Sequence, residues 1–221
     1  AYLDSEGHSR IIPVSDTLQT LQELARYHRE HVLPDGKHLD IIGITGTNGK
    51  TTTKELIKTV LSAKYNVVAT EGNLNNDIGV PLSLLKITPS TELAVIEMGA
   101  SHPDDIFKLV RVSEPDFGII TNVGKAHLQG FGSFEGVKKA KGCLYDYVNA
   151  FGTSVFVNAD DPVLVSMTEE RNCKSVISYG LHHDGCVIMD TTPEEPFLRI
   201  MMPGGVVVKT KLVGAYNSAN V

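Results

Sequence analysis

The stretch GITGTNGKTTTKEL, residues 43–56, combines glycines, a lysine and threonines at a spacing that suits phosphate binding. It follows an apolar, strand-like run at 40–45 and opens a helix-like stretch, which is the context that a phosphate-binding loop requires. In such a loop the backbone N–H groups of residues 46–51 surround a β-phosphate at the positive end of the helix. Lys50 would neutralise β- and γ-phosphate oxygens, and Thr51 would place its hydroxyl on Mg²⁺.

The loop departs from the strict pattern because Ile44 stands where a glycine is usual, although Gly43 and Gly46 flank it. The Gly-Lys-Thr core is intact after a strand, and so we predict nucleotide binding here rather than a bare turn. In an empty loop we expect the Lys50 side chain to face solvent. The predicted nucleotide contacts are Thr45, Gly46, Thr47, Asn48, Gly49, Lys50, Thr51 and Thr52.

Polar residues follow two other apolar runs. The run LAVIEM, 93–98, delivers Glu97, where a carboxylate could hold Mg²⁺ beside the phosphates. The run FGIITNV, 117–123, leads into KAHLQGFGS and brings His127 to the same edge, because ligands gather at the carboxyl ends of parallel strands. A solvated or salt-bridged Glu97 and a surface His127 are the alternatives.

Lys141 lies in the middle of an apolar stripe on a predicted helix over 134–148, whereas Lys139 points well away from it. The stripe consists of Phe134, Val137, Leu144, Tyr145 and Val148. Burial disfavours the charged form, so we expect the pKa of Lys141 to fall. A neutral amine can add CO₂ and become a carbamate that binds metal as a carboxylate would. The alternative is a lysine that reaches solvent along its methylene groups.

The elements that position these residues alternate between strand and helix. Strand-like runs lie at 40–45, 66–70, 93–98, 117–123, 154–159 and 175–180, and helix-like stretches lie at 16–31, 50–63, 103–112, 134–148 and 161–170. Short β-branched runs between helices predict an α/β fold with a doubly wound, mostly parallel sheet. After residue 185, CVIMDTT, PFLRIMM and VVVKTKLV predict a small antiparallel appendage, with a turn at 203–205.

Composition excludes several classes of protein. A formal charge of −6 over 221 residues opposes nucleic-acid binding, which would need a basic face. No apolar run approaches the length of a membrane span, and the first ten residues lack the apolar core of a signal peptide. The chain has three cysteines, Cys143, Cys173 and Cys186. An odd number excludes a full disulfide framework, and their wide spacing excludes a close-spaced zinc pair. Reduced thiols in a cytoplasmic compartment are the expectation.

The loop TGTNGKTT resembles that of the Mur ligase family, the ATP-dependent amide-bond formers of peptidoglycan synthesis. Folylpolyglutamate synthetases carry a similar loop, but Thr51 and Thr52 favour the Mur side. The segment NVGKAHLQGFGSFEGVKKAKG resembles the family segment in which a histidine and a carbamylated lysine bind a second Mg²⁺. The resemblance implies that His127 and Lys141 take these roles, and that Glu97 in IEMGAS holds the first Mg²⁺ with the loop threonine. Cys143 stands where the family usually has an acidic residue.

Two further segments carry the resemblance. EGNLNNDIGVPLSLL, residues 71–85, is similar to one branch of the family, whose members join D-alanyl-D-alanine to a UDP-N-acetylmuramoyl tripeptide. The similarity implies that this asparagine-rich segment lies near the UDP-muramoyl peptide, with Asn73 and Asn76 as the preferred contacts. LVGAYNSANV resembles the family's Gly-x-x-Asn-x-x-Asn stretch, which implies that Asn217 and Asn220 approach the adenine.

The resemblance implies an ADP-forming ligase that works through an acyl phosphate and uses ATP, two Mg²⁺ ions and a carbamate on Lys141. Its expected partners are the two small-molecule substrates, with no nucleic acid and no membrane insertion. It also implies that residues 1–14 end an amino-terminal UDP-substrate domain and that residues 15–221 form an incomplete central ATP-binding domain, inactive by itself. Another Mur ligase, a folylpolyglutamate-type ligase, a small-molecule kinase and a non-catalytic nucleotide-binding module remain as alternatives.

Overall fold

The computed structural model describes residues 12–124 and 128–221. Its centre is a six-stranded, all-parallel sheet with the strand order β2-β3-β1-β4-β5-β6. The strands are β1 Asp40–Thr45, β2 Val67–Ala69, β3 Leu93–Glu97, β4 Phe117–Ile120, β5 Ser154–Asn158 and β6 Val176–Tyr179. Each of the six apolar runs therefore forms a strand, and the predicted doubly wound sheet is confirmed.

The first helix precedes β1, and the other helices fall between the strands of the parallel sheet, as α/β alternation requires. They are α1 Thr17–His31, α2 Lys50–Leu61, α3 Gly79–Leu84, α4 Asp105–Ser113, α5 Leu128–Phe131, α6 Phe134–Phe151 and α7 Pro162–Glu170. Short 3₁₀ turns lie at Pro34–Gly36 and Ala215–Asn220. The sequence reading did not predict α3 or α5, because a helix of one or two turns is too short to show a 3.6-residue period.

The sheet is covered on both faces. Neighbouring residues of a strand point to opposite sides of the sheet, and they pack into two different core clusters. Ile96 and Ile120 belong to the large core cluster, which includes apolar residues of α1, α3, α4, α6 and α7. Val95 and Ile119 belong to a second, smaller cluster on the other face, which packs against α2 through Ile57 and Leu61. The continuous apolar runs are thus explained by burial on both faces.

The predicted antiparallel appendage is a three-stranded sheet in the order β7-β8-β9. Its strands are β7 Val187–Ile188, β8 Arg199–Met201 and β9 Val207–Lys209, all shorter than the apolar runs that predicted them. Gly204 and Gly205 have φ values of 85° and 83° in the turn between β8 and β9. The turn closes with a hydrogen bond of 2.8 Å from Met202 N to Val206 O.

Helix α6 is the element that presents Lys141. Its N-cap Ser133 accepts a hydrogen bond from Gly136 N at 3.0 Å, and the helix runs three residues beyond the predicted end at 148. Val137, Leu144, Tyr145 and Val148 are buried, as the stripe predicted. Among the helices in the described ranges, none has the length and apolarity that crossing a bilayer requires.

Candidate functional site

The phosphate-loop motif connects the central strand β1 to α2, and two of its glycines are required by close approaches. Gly46 has φ 150°, and a Cβ atom at this position would lie 1.9 Å from Thr121 Oγ1. Gly49 is the N-cap of α2 with φ 81°, and its Cβ would lie 2.3 Å from Asn220 Oδ1. A Cβ at either position would require Thr121 or Asn220 to move, and the positive φ would also strain the backbone.

The residues that follow β4 fix the conformation of this loop. Asn122 accepts hydrogen bonds of 3.0 Å from Thr47 N, through its carbonyl oxygen, and from Asn48 N, through its side-chain oxygen. Thr121 Oγ1 donates to Asn48 O at 2.6 Å, and Gly124 N donates to Thr47 Oγ1 at 2.8 Å. In this structure the N–H groups of Thr47 and Asn48 therefore donate to Asn122. The first turn of α2 offers N–H groups for a phosphate, because a helix leaves its first N–H groups without acceptors of its own.

Lys50 lies in that first turn, and its side chain bends back over the loop. Its Nζ donates to Gly46 O at 3.0 Å and to Thr47 O at 3.4 Å. The side chain is half-buried, so the expectation that it faces solvent is wrong. The carbonyl oxygens of Gly46 and Thr47 accept these hydrogen bonds and hold the ammonium over the loop. Burial lowers the pKa of Lys50, and the negative charge of Glu97 opposes that shift.

Lys141 reaches the same loop from α6. Its side chain is buried, with 4% exposure, and its Nζ donates to Gly46 O at 2.9 Å. Burial, followed by repulsion from Lys50, lowers the pKa of Lys141 to about 8. Lys139 is exposed, as predicted. The prediction of a buried lysine with a lowered pKa is thus confirmed, and the alternative of a lysine that reaches solvent is wrong.

Glu97 ends β3 beside the loop, pairing in register with Ile44 of β1. Its side chain is 1% exposed, and its carboxylate accepts hydrogen bonds from Thr51 Oγ1 at 3.0 Å and from Asn75 Nδ2 at 2.9 Å. No lysine, arginine or histidine in residues 12–124 or 128–221 forms an ion pair with it. A buried carboxylate beside a hydroxyl, satisfied only by neutral donors, fits a hard cation such as Mg²⁺, which prefers oxygen ligands. His127, the predicted histidine ligand, lies outside the described residues.

Two other predicted threonines, Thr45 and Thr52, lie at the two ends of the loop. Thr45 is fully buried, and its Oγ1 donates to Met98 O at 2.9 Å, so it links the ends of β1 and β3. Thr52 is half-buried in the first turn of α2. Of the loop threonines, Thr51 is the one whose hydroxyl contacts the carboxylate of Glu97.

The asparagine-rich segment borders a cavity of about 470 Å³ next to the loop. Asn76 lines this cavity together with Lys50, but Asn73 is not among the lining residues. The side-chain oxygen of Asn76 accepts from Gly79 N at 2.8 Å and from Ile78 N at 3.3 Å, so it satisfies N–H groups at the start of α3. Of the two predicted substrate contacts, the structure therefore places Asn76 at the cavity. Its side-chain oxygen already accepts hydrogen bonds from the backbone of the protein.

Asn217 and Asn220 lie in the 3₁₀ turn that packs against α2. Asn220 Nδ2 donates to Asn217 Oδ1 at 3.1 Å, and Asn220 Oδ1 accepts from Thr53 Oγ1 at 3.4 Å. Asn217 Nδ2 in turn donates to Val213 O at 2.9 Å. The pair thus lies on the α2 side of the loop, where Asn220 closely approaches Gly49.

Three residues of this site were missed at the level of sequence. Thr121 and Asn122 follow β4 directly, and their position after an apolar run was a usable signal. Asn75 was part of the quoted asparagine-rich segment, but spacing did not distinguish it from Asn73 and Asn76. Its contact with Glu97 depends on how the segment folds against β3.

The chain is similar to known proteins over most of its length. The family model described as Mur ligase middle domain matches residues 44–221. A UDP-N-acetylmuramoyl-tripeptide–D-alanyl-D-alanine ligase of Bacillus subtilis is 42% identical over 180 residues, which are 81% of this chain and 37% of the relative. The ligase of the same name from Haemophilus influenzae is 34% identical over 226 residues, covering 99% of this chain and 48% of the relative. The chain thus spans less than half the length of these relatives.

Solved structures show the same similarity. A crystal structure of MurF from Acinetobacter baumannii has a TM-score of 0.81 and 32% identity, covering 95% of this chain and 46% of that one. The MurF ligase from Thermotoga maritima in complex with ADP has a TM-score of 0.76 and 29% identity, covering 100% of this chain and 49% of that one.

Proposed function

Because the chain belongs to the Mur ligase family, we propose that it is the ATP-binding part of an ADP-forming ligase that adds D-alanyl-D-alanine to a UDP-N-acetylmuramoyl tripeptide. The observation that carries the proposal is the meeting of Lys50, Thr51 and the buried Glu97 at one glycine-bearing loop. The chain covers 37% and 48% of two relatives with this activity, so the complete activity belongs to the proposal.

In the proposed reaction, the γ-phosphoryl group of ATP passes to the terminal carboxylate of the tripeptide. The amine of D-alanyl-D-alanine then attacks the acyl phosphate, loses a proton and displaces phosphate. The first turn of α2 would direct its N–H groups at the phosphates, and the Lys50 ammonium would neutralise charge there. Mg²⁺, held by Thr51 and Glu97, would supply further charge neutralisation at the phosphate oxygens.

We propose in addition that Lys141 carries a carbamate and, with His127, holds a second Mg²⁺. A neutral Lys141 amine adds CO₂ and releases one proton, which leaves a carbamate with two oxygens. The pKa of about 8 supports this step, since about a tenth of the side chain is then neutral at pH 7. The buried position of Lys141, next to Gly46 O, supports a role at the loop rather than at the surface.

The remaining assignments are also proposals. Asn217 and Asn220 would contact the adenine, since they lie on the α2 side of the loop. Asn73 and Asn76 would contact the UDP-muramoyl peptide, and the cavity that Asn76 lines lies beside Lys50. Residues 1–14 would belong to an amino-terminal substrate domain and residues 15–221 to the central domain. The partners would be these small molecules, without nucleic acid, in the cytoplasm.

The test is ATP turnover by a full-length protein that carries this chain. ADP release that needs Mg²⁺, UDP-muramoyl tripeptide and D-alanyl-D-alanine together would support the proposal. Turnover with a folate substrate would instead favour a folylpolyglutamate-type ligase. Nucleotide binding with no turnover on any of these substrates would favour a non-catalytic module. Phosphorylation of a small molecule without ligation would favour a kinase.

A further inference from the structure

Asn75 connects the asparagine-rich segment directly to the proposed metal ligand. Its Nδ2 donates a hydrogen bond of 2.9 Å to Glu97 Oε1. The shorter of the two contacts from Thr51 Oγ1, at 3.0 Å, goes to the other oxygen, Oε2. The two neutral donors thus make their shortest contacts with different oxygens of the carboxylate, and together they restrain its orientation. Without Asn75, the terminal torsion of Glu97 would lose one of these two restraints, and such torsions are intrinsically broad.

The position of Asn75 is itself fixed by the backbone that follows Glu97. Asn75 O accepts from Gly99 N at 2.7 Å, so the segment and the end of β3 are hydrogen bonded beyond the carboxylate as well. Gly99 makes room for the amide, because a Cβ at Gly99 would lie 2.9 Å from Asn75 Oδ1 and 3.0 Å from its Cγ. The absence of a side chain at Gly99 therefore allows Asn75 to reach Glu97.

A second connection to Glu97 comes from Thr70, the residue that precedes the segment. Glu97 N donates to Thr70 Oγ1 at 2.9 Å, and Thr70 O accepts from Lys54 Nζ at 2.6 Å. Lys54 belongs to α2 and is fully buried, so its hydrogen bond to Thr70 O is shielded from solvent. The backbone of Glu97 is thus fixed through Thr70, and its carboxylate is oriented through Asn75.

We propose that Asn75 is a positioning residue for the divalent cation. By holding Oε1, Asn75 turns Oε2 of Glu97 towards the Thr51 hydroxyl. Glu97 Oε2 and Thr51 Oγ1 can then bind one ion together. Residues that orient metal ligands typically contribute about 10- to 100-fold to metal affinity. The inference rests on the proposed function, because it assumes that the cation accompanies a nucleotide at this loop.

The experiment measures Mn²⁺ and ADP binding to the 221-residue chain. Electron paramagnetic resonance counts free Mn²⁺ in the presence of ADP, and calorimetry measures ADP affinity in EDTA. Asn75→Ala is expected to weaken Mn²⁺ binding by about 10- to 100-fold and to leave ADP affinity in EDTA unchanged. The matched control is Asn66→Ala, which also removes an amide hydrogen bond, to Ser90 O, but at the amino end of β2.

Gly99→Ala provides a second variant that keeps the Asn75 amide but displaces it, so it should weaken Mn²⁺ binding while the circular dichroism spectrum stays unchanged. Unchanged Mn²⁺ affinity in both variants would overturn the positioning role of Asn75 and leave the proposed function standing. A parallel loss of Mn²⁺ affinity and of ADP affinity in EDTA would also overturn that role, since the pattern indicates a general structural effect. If the unmodified chain binds neither ADP nor Mn²⁺, the proposed function itself fails.

Discussion

Lys50 and Lys141 donate hydrogen bonds to the same acceptor, the carbonyl oxygen of Gly46, at 3.0 and 2.9 Å. Two ammonium groups this close repel each other, and the repulsion adds to burial in lowering the pKa of Lys141 to about 8. The negative charge of Glu97 favours the charged form of Lys50 instead. Lys141 is therefore the lysine prepared to lose its proton, while Lys50 keeps a carboxylate nearby that supports its charge.

The first prediction concerns Lys50. We expect Lys50→Ala to weaken Mg·ATP binding by about 100-fold, because a hydrogen bond from a charged group to phosphate is lost. The fold should remain, since the side chain is only half-buried and contacts loop carbonyls rather than the core. Calorimetric titration measures the affinity and thermal unfolding checks the fold. Wild-type affinity in the variant would show that the loop does not bind nucleotide in this way.

The second prediction is that Lys141 takes up CO₂. In ¹³C-bicarbonate the chain should show a carbamate signal by carbon NMR, because a buried lysine with a pKa of about 8 supplies the neutral amine. Lys141→Ala should remove the signal. The exposed Lys139, two residues away on α6, gives the matched control, and Lys139→Ala should keep it. Absence of the signal from the wild-type chain at saturating bicarbonate would contradict the carbamate.

The third prediction concerns stability and pH in CO₂-free buffer. The folded pKa of Lys141 is about 8, below the value of about 10.4 for an unfolded lysine, so between these values the unfolded chain binds more protons. Its contribution to the free energy of unfolding therefore increases with pH across that window. We expect the stability of the chain, relative to Lys141→Met, to rise from pH 8 to pH 10 in urea titrations. A flat difference would show that Lys141 is not perturbed.

The fourth prediction separates backbone strain from loop geometry. Gly49→Ala and Gly204→Ala both place a Cβ at a positive φ, 81° and 85°, so each should lose about 1–2 kcal/mol of stability. The Cβ at Gly49 also meets Asn220 at 2.3 Å, whereas nothing lies within 4 Å at Gly204. We therefore expect only Gly49→Ala to impair nucleotide binding, measured by calorimetry. Equal nucleotide affinities in the two variants would contradict this view of the loop.

The fifth prediction is that the 221-residue chain does not form the amide bond alone. Ligation gains much of its rate from holding the amine against a short-lived acyl phosphate, and relatives with this activity are more than twice as long as the part matched here. Incubation with Mg·ATP, UDP-muramoyl tripeptide and D-alanyl-D-alanine should yield no pentapeptide by mass spectrometry. Product formed at the rate of a full-length ligase would show that this part is self-sufficient.

Local patterns were sufficient for the parts of the fold that have a strong period. The six strands and α6 were predicted because burial on two faces produces continuous apolar runs, and burial on one face produces a helical stripe. Lys141 was identified in the same way, from its place among apolar neighbours. The short helix α3 was missed because six residues are too few to show a helical period, and the hydrogen bond at its start, from Gly79 N to the Asn76 side chain, depends on loop geometry.

The amino-acid order was enough to identify the phosphate loop, Glu97 as the end of a buried strand and Lys141 as a buried lysine, since these depend on neighbours along the chain. Only the folded structure decided how they meet. Gly46 O accepts hydrogen bonds from Lys50 of α2 and from Lys141 of α6, which is 95 residues away from Gly46. Glu97 accepts a hydrogen bond from the amide of Asn75, 22 residues before it. Such contacts are set by the strand order and by the register of β1 with β3 and β4. Side-chain hydrogen bonds between segments that are distant along the chain carry no local periodicity, and so the partners of Asn75 and Asn122 became visible only in three dimensions.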